Sequence, residues 1–415
     1  MPQVAEAQRR TRDARFKSGL APALPKRIDL HDKYRPSLQN KERALRPLEG
    51  LFVLDFSSLL PGPLATLLLA EAGAEVVKIE PPRGEEMRGR SPKWGHDSAG
   101  FALLNRGKRS VAIDLKNTAE RARLQPLVER ADVIVEQFRP GVMARLGLDY
   151  VTVAKLNPAV VYCSISGYGQ TGLKRDVAAH DLNYISDAGL LALSMGDPSR
   201  PVLPPTLIVD IAGGAYPAVV NILLALEERR RTGRGRHLDV AMAENLFPLM
   251  FWAIGQGLVA GTWPGNGAGY VTGGSPRYGL YPTKDGRVVA AAPLEQKFWE
   301  TFCDLIGLEG EFRDDGENPA ATKARIGAII ASETADIWRS RFAGKDCCCC
   351  IVANLGDALT DPHFMARGVF HHVLANPVGA GMPALPVPLD PAFRAAPAAA
   401  IAAPALGADN KRYLA

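Results

Sequence analysis

The chain has 415 residues, 47% of them hydrophobic and 22% charged, so it can bury a large core and is long enough for two or three domains. Its formal net charge of +5 is concentrated at the start, because residues 1–48 hold 12 Lys and Arg against 5 Asp and Glu and carry +7, which leaves −2 for the rest. A near-neutral body argues against a nucleic-acid-binding domain, which would gather basic residues on a folded face.

The first 48 residues form a basic N-terminal arm. Pro residues interrupt it and large apolar residues are few, which indicates a flexible or draped segment that binds a partner or stays disordered. A transit peptide would also be rich in Arg, but Glu6, Asp13 and the near absence of Ser argue against one.

A βαβ unit begins at residue 49. The run "GLFVLDF" predicts a strand, "GPLATLLLAEAG" a helix closed by Gly73, and "AEVVKIE" a second strand ended by Pro81 and Pro82. The alternation continues through "RSVAIDL", the amphipathic helix "NTAERARLQPLVERA", "DVIVEQF" and "AVVYCSISGYG". This order predicts an α/β fold with a Rossmann-like, doubly wound parallel sheet that binds ligands at the carboxyl ends of its strands.

The turn after the first strand excludes the commonest ligands of such a sheet. It reads "SSLLPGPLAT", with neither the G-x-G-x-x-G of dinucleotide sites nor the lysine of a phosphate-binding P-loop. NAD and ATP are therefore poor candidates.

After residue 212 the pattern predicts a long helix stopped by Gly233, the strand "RHLDVAM" and an apolar helix around 242–259. The apolar region 244–261 carries Glu244, Asn245, Pro248 and Gln256, so no stretch is expected to span a membrane. A Gly-rich loop follows. "LYPTKDGRVVAAA" then predicts a hairpin with "DG" at its turn.

The cysteines suggest a reducing, cytoplasmic compartment. Cys163 and Cys303 are isolated, and the other four are the consecutive run Cys347–Cys350. The run contains C-x-x-C but lacks a second ligand pair and a redox-loop context, so we expect a buried strand and no metal site.

These observations give the domain organisation. We expect the arm at 1–48, a large Rossmann-like α/β domain at 49–235, a connecting helix at 236–261 and a smaller α/β domain at 262–370. An extended Ala/Pro-rich segment at 371–415 is expected to return to the large domain.

A series of motifs carries a family resemblance over about residues 48–375. It comprises "LDFSSLLPGPLATLLLAEAGAEVVKIEPP", "NRGKRSVAIDLK", "VEQFRPGVMARLGL", "SISGYGQTG", "AAHDLNY", "VDIAGG", "TGRGRHLDVAM" and "YPTKDGR". The chain resembles the family III CoA-transferases (CaiB/BaiF) and their relatives, the α-methylacyl-CoA racemases. The resemblance implies an interlocked homodimer that binds acyl-CoA at the domain junction. We expect no cofactor beyond the CoA moiety of the substrate, no metal, and no nucleic-acid or membrane partner.

The adjacent His180 and Asp181 separate two activities within that resemblance. In similar transferases the residue matching Asp181 is the nucleophile that takes up the acyl group, and in the racemases the equivalent of His180 transfers a proton. Asp210 matches the second base of the racemases, and Glu295 matches the acid that partners the histidine. Under the racemase interpretation Asp181 is a packing or hydrogen-bonding carboxylate.

The resemblance also suggests where CoA is held. Arg106, Lys108 and Arg109 form a compact basic group suited to the CoA phosphates, and Arg139 resembles a further basic contact. In "SGYGQTG", Gly167 and Gly169 would let the backbone approach the thioester, although a plain turn explains them as well.

Three functions stay open. His180, Glu295 and the segment "FAGKDCCCC" favour a racemase that moves the α-proton of a 2-methylacyl-CoA by two-base 1,1-proton transfer through an enolate. "SPRYGLYPTKDG" looks more like the transferase pattern, in which CoA passes to a carboxylate acceptor through an acyl anhydride at Asp181. The third function is an inactive acyl-CoA-binding subunit.

Overall fold

A computed structural model describes residues 46–193, 199–200, 202–397 and 400–414 of the chain. All but the last three residues of the predicted N-terminal arm lie outside the described residues.

Strands and helices alternate through the first half of the described chain. The strands are β1 Phe52–Asp55, β2 Glu75–Glu80, β3 Lys93–Trp94, β4 Asp97–Ser98, β5 Arg109–Ala112, β6 Val133–Glu136, β7 Val161–Ser166, β8 Arg236–Ala241, β9 Gly279–Pro282, β10 Val288–Ala291, β11 Cys349–Ile351, β12 Val373–Asn376 and β13 Gly379–Pro383. The α-helices are α1 Pro61–Glu71, α2 Glu86–Gly89, α3 Ala99–Asn105, α4 Thr118–Ala122, α5 Gln125–Arg130, α6 Val142–Arg145, α7 Tyr150–Leu156, α8 Asp181–Asp187, α9 Tyr216–Thr232, α10 Phe251–Ala260, α11 Gln296–Ile306, α12 Pro319–Ile330, α13 Ala335–Phe342, α14 Leu355–Leu359, α15 Pro362–Ala366 and α16 Asn410–Tyr413. A π-helical turn, Val209–Ala215, precedes α9, and a 3₁₀ helix, Glu244–Met250, precedes α10.

The large sheet is parallel, as the alternation predicts. Its strand order is β5-β2-β1-β6-β7-β8, and every neighbouring pair runs in the same direction. Helices cover both faces, so the strands are buried on both sides and read as continuous apolar runs. One core contains α1 and α9, and the other contains α5 and α7 together with the end of the chain.

The predicted helix over 117–131 is two helices, α4 and α5. Pro126 stands at the second position of α5, where the N–H that it lacks is not needed. A continuous helix would place the Pro126 ring against the carbonyl four residues earlier, so the chain turns at Arg123 and Leu124 instead.

The helical stretch Val209–Thr232 is long and apolar enough to cross a membrane, contrary to the expectation from the sequence. Length and composition are weak evidence for a span, because core helices pass the same test. Ala218, Ile222 and Ala225 of α9 pack into the core beneath the sheet, so this face is buried by the protein itself.

A second, smaller sheet has the order β11-β10-β9. The predicted hairpin is present, with β9 and β10 antiparallel and Gly286 at φ 76° in its turn. The Cys run forms the edge strand β11 only in part. Cys347 and Cys349 pack into the small core, whereas Cys348 and Cys350 are exposed. Within β11, Cys349 and Cys350 point to opposite faces, as successive residues of a strand do. Among the described residues no cluster of His, Cys, Asp and Glu could hold a metal.

The C-terminal residues lie along β5. The Ser110 N–H donates to Asp409 Oδ2 at 3.0 Å, and the Asn410 side-chain amide pairs with both backbone groups of Ala112, at 2.8 and 3.0 Å. Gly107 N–H donates to the Ala402 carbonyl at 3.0 Å. The C-terminal segment therefore covers the free edge of the large sheet.

Candidate active site

The carboxyl edge of the large sheet contains the candidate site. Strand order reverses at β1, with β2 on one side and β6 on the other, and such a reversal opens a crevice at the carboxyl ends of the two strands. In dinucleotide-binding folds the helix after β1 offers its N-terminal N–H groups to a phosphate. Here Pro61 and Pro63 have none, Gly62 N–H donates to Gln137 Oε1 at 3.0 Å, and Leu64 N–H donates to Leu60 O at 2.9 Å. The start of α1 is thus closed to phosphate.

The backbone of His180 is fixed at the start of α8. Its N–H donates to Asn183 Oδ1 at 3.0 Å, and its carbonyl accepts from the N–H groups of Asn183 at 2.8 Å and Tyr184 at 3.2 Å. The residue itself is exposed. A fixed backbone therefore presents an accessible imidazole.

Tyr184 ties down the residue before the histidine. Its hydroxyl donates to the Ala179 carbonyl at 2.9 Å, and its ring lies against Gly167. A Cβ on Gly167 would stand 2.3 to 2.4 Å from that ring, so only glycine fits. The structure thus gives Gly167 a packing role beside His180. Gly169 is in the left-handed region at φ 87°, as a turn requires. An approach of either glycine to a thioester stays a prediction.

Asp181 is buried, and its carboxylate joins two segments. Oδ1 accepts from the backbone N–H groups of Val209 at 2.8 Å and Asp210 at 3.0 Å. These are the first residues of the π-helical turn, a feature that often accompanies functional sites. The Asp181 side chain thus holds Asp210 next to the start of α8.

Asp210 is half-buried and close to the histidine. The pKa of its carboxyl is raised to about 6, chiefly by burial and also by the neighbouring Asp181, while the charge of His180 opposes the rise. The influence of both residues on Asp210 shows that the three side chains share one electrostatic environment. A carboxyl with a pKa near 6 can hold or release a proton at neutral pH.

Glu295 is not brought to the histidine within one chain. It is exposed at the start of α11, in the smaller α/β region, and its side chain makes no hydrogen bond or ion pair with any described residue. The predicted contact between Glu295 and His180 is therefore absent from the single chain.

The predicted phosphate contacts divide into buried and exposed residues. Arg106 is buried and donates to Glu71 Oε1 at 2.7 Å. Lys108 is buried, 3.1 Å from Asp55 Oδ2, and burial lowers the pKa of its ammonium to about 8. Their internal partners argue against a phosphate contact by these two side chains. Arg109 begins β5, so it lies at the amino edge of the sheet, opposite the candidate site, with its guanidinium 4.0 Å from Asp409 Oδ1. The exposed Arg139 stays a candidate. Burial and the charge of Asp210 raise the pKa of Tyr184, and the charge of Arg139 opposes that rise, so Arg139 lies near the site.

Sequence reasoning missed Asn183, Tyr184 and Gln137. Asn183 stands three positions after His180, the spacing of a capping box, so its contact with the His180 N–H could have been found. Tyr184 and Gln137 act through partners distant in the sequence, namely Gly167 and Gly62, and no local pattern marks such contacts.

Glu136 is a further buried acid at the carboxyl edge, where it ends β6. Its Oε2 accepts from the Phe138 N–H at 2.8 Å, within the turn that leads to Arg139. The pKa of Glu136 is raised to about 7 by burial, while the hydrogen bonds from Ser164 and from the Phe138 N–H oppose the rise and the charge of Asp239 adds to it. Ser164, its partner across the β6–β7 pair, lies 3.0 Å from His237 Nε2.

Comparison with known proteins identifies the family. The family model CoA-transferase family III matches residues 48–410, which is most of the chain. The chain belongs to CoA-transferase family III. Its similarity to the mouse (Mus musculus) α-methylacyl-CoA racemase is 34% identity over 327 residues, covering 78% of this chain and 82% of that protein. Acetyl-CoA:oxalate CoA-transferase from Acetobacter aceti is 33% identical over 306 residues, covering 70% and 77%.

A solved structure of the same family shares the fold. The crystal structure of a CaiB/BaiF family protein from Brucella suis superposes with a TM-score of 0.76 at 27% identity, over 88% of this chain and 98% of that one. Family III includes acyl-CoA racemases and CoA-transferases, so the chain is an enzyme of one of these two kinds. Relatives of both kinds are about equally similar, and the specific activity must be argued from the site.

Proposed function

We propose that the protein is a 2-methylacyl-CoA racemase, and the environment of Asp181 carries the proposal. A nucleophilic carboxylate must present an oxygen to the thioester carbonyl, but Asp181 is only 8% exposed and its Oδ1 accepts two backbone N–H bonds. Hydrogen bonds from donors stabilise a carboxylate and reduce its reactivity. The accessible pair is His180 and Asp210, which suits proton transfer.

In this mechanism His180 and Asp210 exchange one proton with the α-carbon. One residue removes the α-proton from one face of the thioester, and the conjugate acid of the other returns a proton to the opposite face. A pKa of about 6 lets Asp210 take either part near neutral pH. The backbone N–H groups of Asp181 and Leu182 have no partner within the described residues, so they are available to the oxygen of the enolate.

A homodimer would complete the site. Several apolar side chains on α9 and α10 are exposed in the single chain, and a second copy would cover them. They are Val220, Leu224, Phe251, Leu258 and Val259. We propose an interlocked cytoplasmic homodimer in which Glu295 of the second copy partners His180. The substrate is an acyl-CoA, and no cofactor beyond its CoA moiety is needed.

A family III CoA-transferase is the second candidate. Its support is the acetyl-CoA:oxalate CoA-transferase, which matches this chain as well as the racemase does. In that case Asp181 forms an acyl anhydride and CoA passes to a carboxylate acceptor. An inactive acyl-CoA-binding subunit is the third candidate, and the accessible His180–Asp210 pair counts against it.

One incubation tests these functions. Purified protein is mixed with a 2-methylacyl-CoA and succinate in D₂O, and the thioesters are weighed by mass spectrometry. Gain of one mass unit without succinyl-CoA is the expected result, because α-proton exchange defines the racemase. Succinyl-CoA without deuterium would assign the transferase activity. If neither product forms, the protein would be the inactive acyl-CoA-binding subunit.

Two variants connect the result to residues. His180→Ala should abolish the exchange. Asp181→Asn keeps an oxygen to accept from Val209 and Asp210 but cannot form an anhydride, so a racemase should retain most of its exchange and a transferase should lose all turnover.

A further inference from the structure

A cavity of about 120 Å³ lies at the amino-terminal edge of the large sheet. Its polar lining residues are Arg46, Glu71, Arg106 and His372. Arg46 precedes β1, Arg106 precedes β5, and Glu71 ends the helix that leads back from the carboxyl edge. The candidate active site is at the opposite edge, so the two sites are distinct.

Two buried arginines share one carboxylate in the wall of this cavity. Glu71 Oε1 accepts from Arg106 Nε at 2.7 Å, and Oε2 accepts from Arg394 Nε at 3.1 Å and Nη2 at 3.0 Å. The side chains of all three are at most 10% exposed. One carboxylate cannot neutralise two guanidinium groups, so a net positive charge remains in a place with little water.

The other polar groups leave this excess in place. Arg46 is half-buried. His372 is half-buried, and burial together with the charge of Arg394 lowers the pKa of its imidazole. It is therefore neutral at pH 7 and can donate one N–H without adding charge. The Glu49 carboxylate accepts from the Arg46 N–H at 3.4 Å, so the three arginines Arg46, Arg106 and Arg394 exceed the two carboxylates by one charge.

We propose that the cavity binds a small oxyanion of the inorganic phosphate class. Guanidinium groups match the oxygens of such an anion, and the space holds a tetrahedral group of five heavy atoms. Arg46 and His372 contact the anion, and the buried Arg106–Glu71–Arg394 cluster supplies the positive field. His372 and Arg394 belong to the C-terminal segment, and Arg46 precedes the first strand of the sheet. A bound anion therefore connects the C-terminal segment to the chain that enters β1.

Calorimetric titration of inorganic phosphate into the full-length protein, at constant ionic strength set with NaCl, tests the proposal. We expect one phosphate per chain and an affinity at least tenfold weaker in Arg46→Gln. Arg46→Lys keeps the charge and should bind with intermediate affinity. Arg339→Gln is the matched control, because Arg339 is an exposed arginine paired with Asp336 on α13, and it should bind like the wild type.

A second titration separates free phosphate from the phosphates of CoA. Protein saturated with CoA should bind inorganic phosphate with unchanged affinity, because the active site lies at the opposite edge. Loss of the phosphate heat under CoA would make the cavity part of the CoA site and overturn the proposal. Absence of phosphate binding to the wild type, or equal binding by Arg46→Gln, would overturn it too. Deuterium exchange into acyl-CoA measures the proposed activity independently of either result.

Discussion

Replacing Glu136 with glutamine should stabilise the protein at alkaline pH. The carboxyl is 4% exposed, at the end of β6, and its pKa rises from the usual 4.5 to about 7. Between those values the folded state binds more protons than the unfolded state, so stability falls as pH rises through this window and the loss is complete above pH 7. This pKa shift corresponds to a loss of roughly 3 kcal/mol in the free energy of unfolding, of which about 2 kcal/mol is lost between pH 5 and pH 8.

Glutamine has the same shape, can accept from the Phe138 N–H and does not ionise, so Glu136→Gln removes only this pH dependence. The assay is urea denaturation of both proteins at equal concentration, at pH 5 and pH 8. Comparison at each pH cancels the titration of Asp210 and His237. The stability difference should grow by about 2 kcal/mol in favour of the variant from pH 5 to pH 8. Glu129→Gln, at an exposed carboxyl on α5, should show no such growth. A difference that is the same at both pH values would refute the reasoning, because it would mean that Glu136 ionises normally.

Three further predictions concern the active site. Gly167→Ala should lower kcat at least tenfold with little change in KM, because the new methyl group would displace Tyr184, whereas Gly89→Ala, with open space around it, should be silent in the same steady-state assay. The wild-type pH profile of kcat/KM should show an acid limb near pH 6 for the enantiomer whose α-proton Asp210 removes, and Asp210→Asn should lower kcat/KM for that enantiomer by roughly 10²- to 10⁴-fold; a variant that keeps the wild-type kcat/KM would remove Asp210 from proton transfer. Arg139→Gln should raise KM for acyl-CoA several-fold at unchanged kcat, and an unchanged KM would remove Arg139 from the CoA site.

The sequence predicts the parallel sheet well because apolar strands and amphipathic helices alternate with clear Gly and Pro boundaries. The prediction of one helix over residues 117–131 fails at Pro126, because the amphipathic pattern continues through a residue that a continuous helix cannot accommodate. At the site, motif resemblance selects His180, Asp181 and Asp210, and the structure places these three together. Burial of Arg106 and Lys108 could not be predicted from the sequence. The local pattern of basic residues is the same whether they face solvent or pair with carboxylates distant in the chain, such as Glu71 and Asp55.

The C-terminal residues that pair with the edge of β5 are synthesised long after β5 itself. Ser110 and Asp409, which are hydrogen-bonded there, are 299 residues apart in the chain. The whole of the smaller α/β region is synthesised between them, so one side of β5 stays unpaired until the residues around Asp409 have emerged from the ribosome. An open edge is a template for pairing with other chains. We therefore expect chains interrupted before residue 409 to expose this edge and to aggregate more readily than chains that include it.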